Sequence, residues 1–171
     1  MSAMTLNESV SISANLREEE LARHIINATK DVFSSMVMME LEDSYPMNET
    51  VTRLHCSITG MVGLAGMYSG IISIHCPQPL ALRITSNMLG LEVEEIGEDV
   101  CDALGEIANM LGGHVKQVFS KGGLDLNLSI PTVISGENYF INCMADKDCV
   151  IIPFTWQDES FLVGLTLRKE H

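Results

Sequence analysis

The sequence predicts an α+β fold: a duplicated unit of one helix followed by antiparallel strands, with the helices packed on one side of a sheet. Three observations predict it. Residues 17–38 and 99–119 both repeat apolar side chains at three- and four-residue steps, the spacing of a buried helix face. Each stretch is followed by runs rich in β-branched residues and punctuated by Gly, Pro or Asp, the composition of strands joined by turns. The order helix-then-strands occurs twice, which suits helices gathered on one face of an antiparallel sheet.

Residues 1–15 are rich in Ser, Asn and Thr and read as a flexible tail, leaving 16–171 as a single domain. In the first helix, 17–38, Leu21, Ile25, Val32 and Met36 form one apolar stripe with Ala22, Ile26, Thr29 and Phe33 beside it. Residues 43–48 read as a turn around Pro46, and 50–60 and 67–76 as a hairpin whose strands are separated by glycines. Pro77 and Pro79 end the second strand, Pro79 opens a short helix over 80–89, and Gly90 stops it. The acidic link 92–99 then sets negative charge at the start of the next helix, where the helix dipole favours it. Beyond 99–119, Gly122 and Gly123 end the helix and 124–130 extends as a strand up to Pro131. Strands over 139–145, 149–155 and 161–168, with turns at 146–148 and 157–159, complete a meander.

Length and composition limit what such a domain can do. With 171 residues and 46% hydrophobic side chains the chain can bury a sizeable core. Ten basic against 23 acidic residues give a net charge of -13 with no basic patch, which argues against binding nucleic acid or an anionic membrane. No apolar run reaches bilayer length and the first residues lack the apolar core of a secretory signal, so a cytoplasmic location is expected. There Cys56, Cys76, Cys101, Cys143 and Cys149 would stay reduced, as small core residues. His55-Cys56 and His75-Cys76 on neighbouring strands hint at a metal site. Adjacent strand residues face opposite ways, however, so each pair offers at most one ligand per face and no metal is expected.

The most informative stretch is 99–119, which carries two stripes of opposite character. Val100, Leu104, Ile107, Leu111, Val115 and Val118 form the apolar one. Asp102, Glu106, Asn109 and Gly113 recur at the same steps on the other side, so two carboxylates and a carboxamide stand in an outward row. Between the stripes Gly105, Ala108 and Gly112 make a strip of small residues, where another helix is predicted to pack. Glu106 and Asn109 are an i, i+3 pair able to touch one partner together. Such a pair is ordinary on a solvated helix, and by itself points to no activity.

The surrounding pattern is more specific. Asp102-x-x-x-Glu106-x-x-Asn109, embedded in DALGEIANM and followed by Pro131, resembles the signature of the CheC/CheX/FliY family of chemotaxis phosphatases. Length favours the CheX branch. The resemblance implies a phosphatase acting on the aspartyl phosphate of a CheY-like response regulator, with Glu106 contacting the regulator's active-site lysine and Asn109 placing the attacking water. It implies supporting parts for Asp102, as docking surface or first-turn anion, and for Pro131, as a shaper of the strand end. It further implies no cofactor on this chain, Mg²⁺ supplied by the receiver, and a homodimer. The alternative is a module that binds a receiver without turning it over. Laying the first helix on the central one sets Glu20 opposite Asp102, His24 opposite Glu106 and Asn27 opposite Asn109, with no proline at the matching distance. A second site there would be degenerate, giving one site per chain.

Overall fold

The computed structural model describes residues 18–47, 53–123, 125–141 and 149–169. The tail expected at 1–15, the turn at 146–148 and residues 142–145 of an expected strand lie outside them. Helix α1 (Glu18–Val32) buries Leu21, Ala22, Ile25, Ile26, Thr29 and Val32, and carries Glu18, Glu19 and Glu20 in its first turn. It does not stay α-helical to residue 38. Phe33–Val37 form a π-helical turn that closes on Met38 in the left-handed region at φ 59°. The wider turn advances the register, so Phe33 and Val37 are buried while Met36, expected on the buried stripe, is 42% exposed.

After the two-residue strand β1 (Glu42–Asp43), which takes up the start of the expected turn, come β2 (Arg53–Gly66) and β3 (Tyr68–Pro77). The expected break near Gly60 is absent, because the glycines there serve packing and not a turn. A Cβ on Gly60 would stand 2.8 Å from the Leu104 carbonyl oxygen, so only glycine lets the helix come this close. Helix α2 (Gln78–Leu89) starts with Pro79 in its first turn and stops at Gly90, left-handed at φ 70°. The long helix α3 (Glu98–Lys121) is followed by β4 (Leu126–Leu128), β5 (Thr132–Phe140), β6 (Cys149–Trp156) and β7 (Glu159–Lys169). The strand expected over 124–130 thus shrinks to three residues, and β5 begins right after Pro131. Most of β5 is exposed, and an edge strand with so little burial leaves no apolar alternation to read.

Among the described residues the sheet runs β1-β6-β7-β3-β2, and the far side of β2 is shared by β4 and β5. The order is the same read from either end, with the β3–β7 pair at its centre. α1-β1-β2-β3 matches α3-β4/β5-β6-β7 element for element, and each half lends its first strand to the other half's second. The three described helices join alternate residues of the central strands, among them Ile58, Val62, Ile72, Ile74, Ile152, Phe154, Val163 and Leu165, in a single apolar core. The helices therefore lie on one side of the sheet, as predicted. A separate small cluster is built on Leu54 and Ile141. Among the described residues no helix is long and apolar enough to cross a membrane.

The strip of small residues faces the sheet, not another helix as expected. Gly105 lies against Pro131 and Val133, Ala108 against Gly60, and Gly112 against Val62, Ile72 and Leu128. Small residues on both surfaces let helix and strand approach more closely than two ordinary faces could.

Candidate functional site

Helix α3 buries Val100, Leu104, Ile107, Leu111, Val115 and Phe119, which anchors it along its length. Val118, expected on that face, is only partly covered. Opposite, Asp102 and Glu106 are exposed and Asn109 is half-buried. Steps of four and three residues keep the three side chains on one bearing, over a rise of roughly 10 Å. Among the described residues no hydrogen bond or ion pair engages the Glu106 or Asn109 side chain, so their donors and acceptors face outward unspent. Asp102 lies beyond the first turn, which is occupied by Glu98 and Asp99, so the first-turn reading of it does not hold. Gly113, the last residue of the outward row, is open, while Gly112 of the small-residue strip is covered by the sheet.

Pro131 stands behind this row. The register runs from Leu64 opposite Leu128 to Met61 opposite Thr132, so Val62 and Gly63 face the three residues Ser129, Ile130 and Pro131. The extra residue makes a β-bulge. The Ser129 N–H donates to the Gly63 carbonyl at 2.9 Å and the Gly63 N–H donates to Ser129 Oγ at 2.8 Å. Pro131, which has no N–H to offer a ladder, sits with its Cβ 3.4 Å from where a Cβ on Gly105 would be, one residue before Glu106. The proline supports the helix turn that carries the pair. Sequence reasoning missed the bulge and its exposed Ile130; the available signal was an apolar residue immediately before a proline in a short strand.

Concave surface lies elsewhere. A groove of about 440 Å³ between α1 and α3 is lined by side chains that include His24, Asn27, Asp31, His114 and Lys121. A second, of about 560 Å³, lies beside α2 between Met38, Arg83, Asn87 and Leu91. Neither is lined by Asp102, Glu106, Asn109 or Pro131. An exposed row on a convex helix cannot enclose a small molecule, but it can reach into a cavity belonging to another macromolecule.

Of the residues that hinted at a metal, His75 and Cys76 are engaged otherwise. His75 is 2% exposed and both its ring nitrogens are occupied, Nδ1 by Thr59 Oγ1 at 2.9 Å and Nε2 by Ser73 Oγ at 2.8 Å. Thr59 Oγ1 continues the chain to the Tyr139 hydroxyl at 2.8 Å. Burial lowers the His75 pKa to about 4, so the ring is neutral and structural. Cys76 is fully buried and its thiol is pushed well above the ordinary range. Among the described residues no three His, Cys, Asp or Glu side chains are grouped to hold a metal ion.

On α1 the matching positions, His24 and Asn27, are also exposed, yet they open on the groove shared with α3. Among the described residues no bulge of the β4–β5 kind supports them. The strand in the matching place, β1, has two residues and pairs only Glu42 with Thr155 and Asp43 with Phe154.

Comparison with known proteins bears on the family and the fold. The model of the family "Chemotaxis phosphatase CheX" matches residues 58–155. The CheY-P phosphatase CheX of Thermotoga maritima is 21% identical over 122 residues, which is 71% of this chain and 79% of that protein. The crystal structure of a chemotaxis protein CheX from Desulfovibrio desulfuricans superposes with a TM-score of 0.75 at 26% identity, covering 87% of this chain and 99% of that one. A chain of the CheX–CheY–BeF3–Mg+2 complex from Borrelia burgdorferi shares the fold, with a TM-score of 0.74 at 22% identity over 87% of this chain and 98% of that one.

Proposed function

The chain belongs to the chemotaxis phosphatase CheX family, and from that premise we propose that it hydrolyses the aspartyl phosphate of a CheY-like response regulator, using Glu106 and Asn109. The observation that carries the assignment is the free, outward Glu106–Asn109 pair on a helix fixed along its whole buried side. Glu106 docks by pairing with a cationic side chain at the regulator's active centre, its lysine. Asn109 then reaches the phosphoryl group.

A carboxamide has no useful pKa and cannot serve as a base. Its oxygen accepts a hydrogen bond from a water and fixes that water in line with phosphorus. Attack forms the new P–O bond as the bond to the aspartyl oxygen breaks, releasing inorganic phosphate and the free carboxylate. A loose phosphoryl-transfer transition state asks chiefly for positioning and charge compensation. The receiver's Mg²⁺ supplies charge compensation, while this chain supplies geometry. Holding one water is worth about 3–4 kcal/mol, or two to three decades in rate. Asp102, exposed one turn before Glu106, extends the docking row, and Pro131 holds the helix turn from behind.

Substoichiometric protein should hasten phosphate loss from a phosphorylated receiver, followed by phosphate release over a panel of receivers. Tight binding with no acceleration of any receiver would leave only a binding module. The exposed outer edge of β5 supports a homodimer formed by strand pairing in the cytoplasm; a strictly monomeric mass by light scattering at tens of micromolar would dismiss it.

A further inference from the structure

We propose that Ile130 is a docking anchor for the receiver, entering an apolar depression beside the receiver's phosphorylated aspartate and so selecting which receivers are served. The inference rests on the function proposed above for Glu106 and Asn109. Ile130 is 86% exposed, the most exposed large apolar side chain among those described. A solitary surface isoleucine needs no explanation on its own; the construction beneath this one is what calls for one.

Three hydrogen bonds hold the Ser129–Pro131 bulge. Two join Ser129 to the Gly63 backbone, and the Ser129 hydroxyl also donates to the Ile130 carbonyl at 3.0 Å. A Cβ on Gly63 would stand 3.2 Å from Ser129 Oγ, so the facing strand is shaped to this arrangement as well. Pro131 fixes the exit. Bulges of this kind re-aim a side chain, and here the re-aimed residue is the isoleucine that leaves the sheet for solvent.

Position supplies the partner. Leu128 packs on Gly112 and Pro131 on Gly105, so the intervening residues run alongside α3 between those two glycines. Asn109 lies on that stretch of helix. A receiver whose phosphoryl group reaches Asn109 is therefore brought alongside Ile130. An apolar side chain on a backbone held in this way, at the edge of a polar catalytic row, suits a protein surface with a small apolar depression, and β-branching limits the torsional freedom it gives up on docking.

The test combines steady-state phosphate release with binding to a beryllofluoride-activated, Mg²⁺-loaded receiver, for Ile130→Ala, Ile130→Asp and a Met67→Asp control. Met67 is 53% exposed in the β2–β3 turn, near the Tyr68–Phe119 contact at the far end of α3. That end is roughly 20 Å along the helix from Glu106. Ile130→Ala should raise KM and the dissociation constant about tenfold, and Ile130→Asp further, with kcat within about twofold and Met67→Asp silent. The exposure of Ile130 leaves folding untouched, which an unchanged melting temperature confirms. If the unaltered protein turns a receiver over and both Ile130 variants keep its KM, the anchor is refuted while the phosphatase reading stands. If the unaltered protein binds without turnover and Ile130→Asp releases the receiver, the anchor stands and the phosphatase reading fails. Absence of both binding and turnover for every receiver removes both.

Discussion

Helices α1 and α3 are the matching elements of the two halves, and they differ in what supports them. Both present an outward i, i+3 pair ending in Asn: His24 with Asn27 on α1, Glu106 with Asn109 on α3. α3 lies on glycine-bearing β2 and has a proline bulge behind its pair, whereas α1 runs into a π-helical turn and its pair opens on a groove. If Glu106 and Asn109 form the site as proposed, what sets α3 apart from α1 is the acid one turn from its asparagine and the support behind that turn.

The sharpest way to break this comparison is to delete each asparagine in turn. Asn109→Ala should cost two to three decades in kcat, about 3–4 kcal/mol, with fold and melting temperature retained. Asn27→Ala should leave phosphate release unchanged. Equal losses would mean that both halves work.

The seam between the halves is the next place to press. His75 sits on β3, opposite Leu162 of β7, and its folded pKa is lowered from 6.5 to about 4 by burial. Above pH 6.5 the ring is neutral in folded and unfolded chains alike. As pH falls from 6.5 towards 4 the unfolded chain takes up the proton first, so stability declines through that window and levels below it, by roughly 3 kcal/mol in all. Urea unfolding across that range should show a shallower acid decline for His75→Gln; identical slopes would remove the histidine from the seam.

A smaller effect tests how α3 is seated. Gly60→Ala places a methyl 2.8 Å from the Leu104 carbonyl oxygen, so helix and sheet must part. A loss of about 1–3 kcal/mol is expected, with reduced turnover because Asn109 moves with the helix. Full activity in a destabilised variant would show that the close approach serves stability alone. Smallest is the tie on the other half, where Lys30 Nζ lies 2.8 Å from Asp43 Oδ1 and its hydrogen bond lowers the Asp43 pKa. The pair is partly exposed, so Lys30→Met should cost only about 0.5 kcal/mol in denaturant midpoint and nothing in kcat. A loss like that of Gly60→Ala would make the two seats equivalent.

The regions that were hard to read in the sequence are those where α3 is supported. Its two stripes, with the outward places of Asp102, Glu106 and Asn109, follow from helical period alone, which is local. The left-handed stop at Gly90 is legible for the same reason. Gly60 and Gly105 read as a break and as a seat for another helix, because a glycine's role depends on what approaches it and that contact is distant in sequence. Met36 fell on the expected stripe until the π-helical turn changed the period. β5 was hidden because a mostly exposed strand has no alternation, and with it the bulge that sends Ile130 outward.

The exchange of first strands bears on how the chain is made. On the ribosome, β2 is complete long before β5 arrives to cover its flank. At about 5–20 residues per second the wait is several seconds. Neither half can close its own sheet, so separately expressed halves should aggregate and co-expressed ones should rescue each other. On the proposed assignment, the half without the Glu106–Asn109 pair supplies the edge on which the other half's sheet is completed.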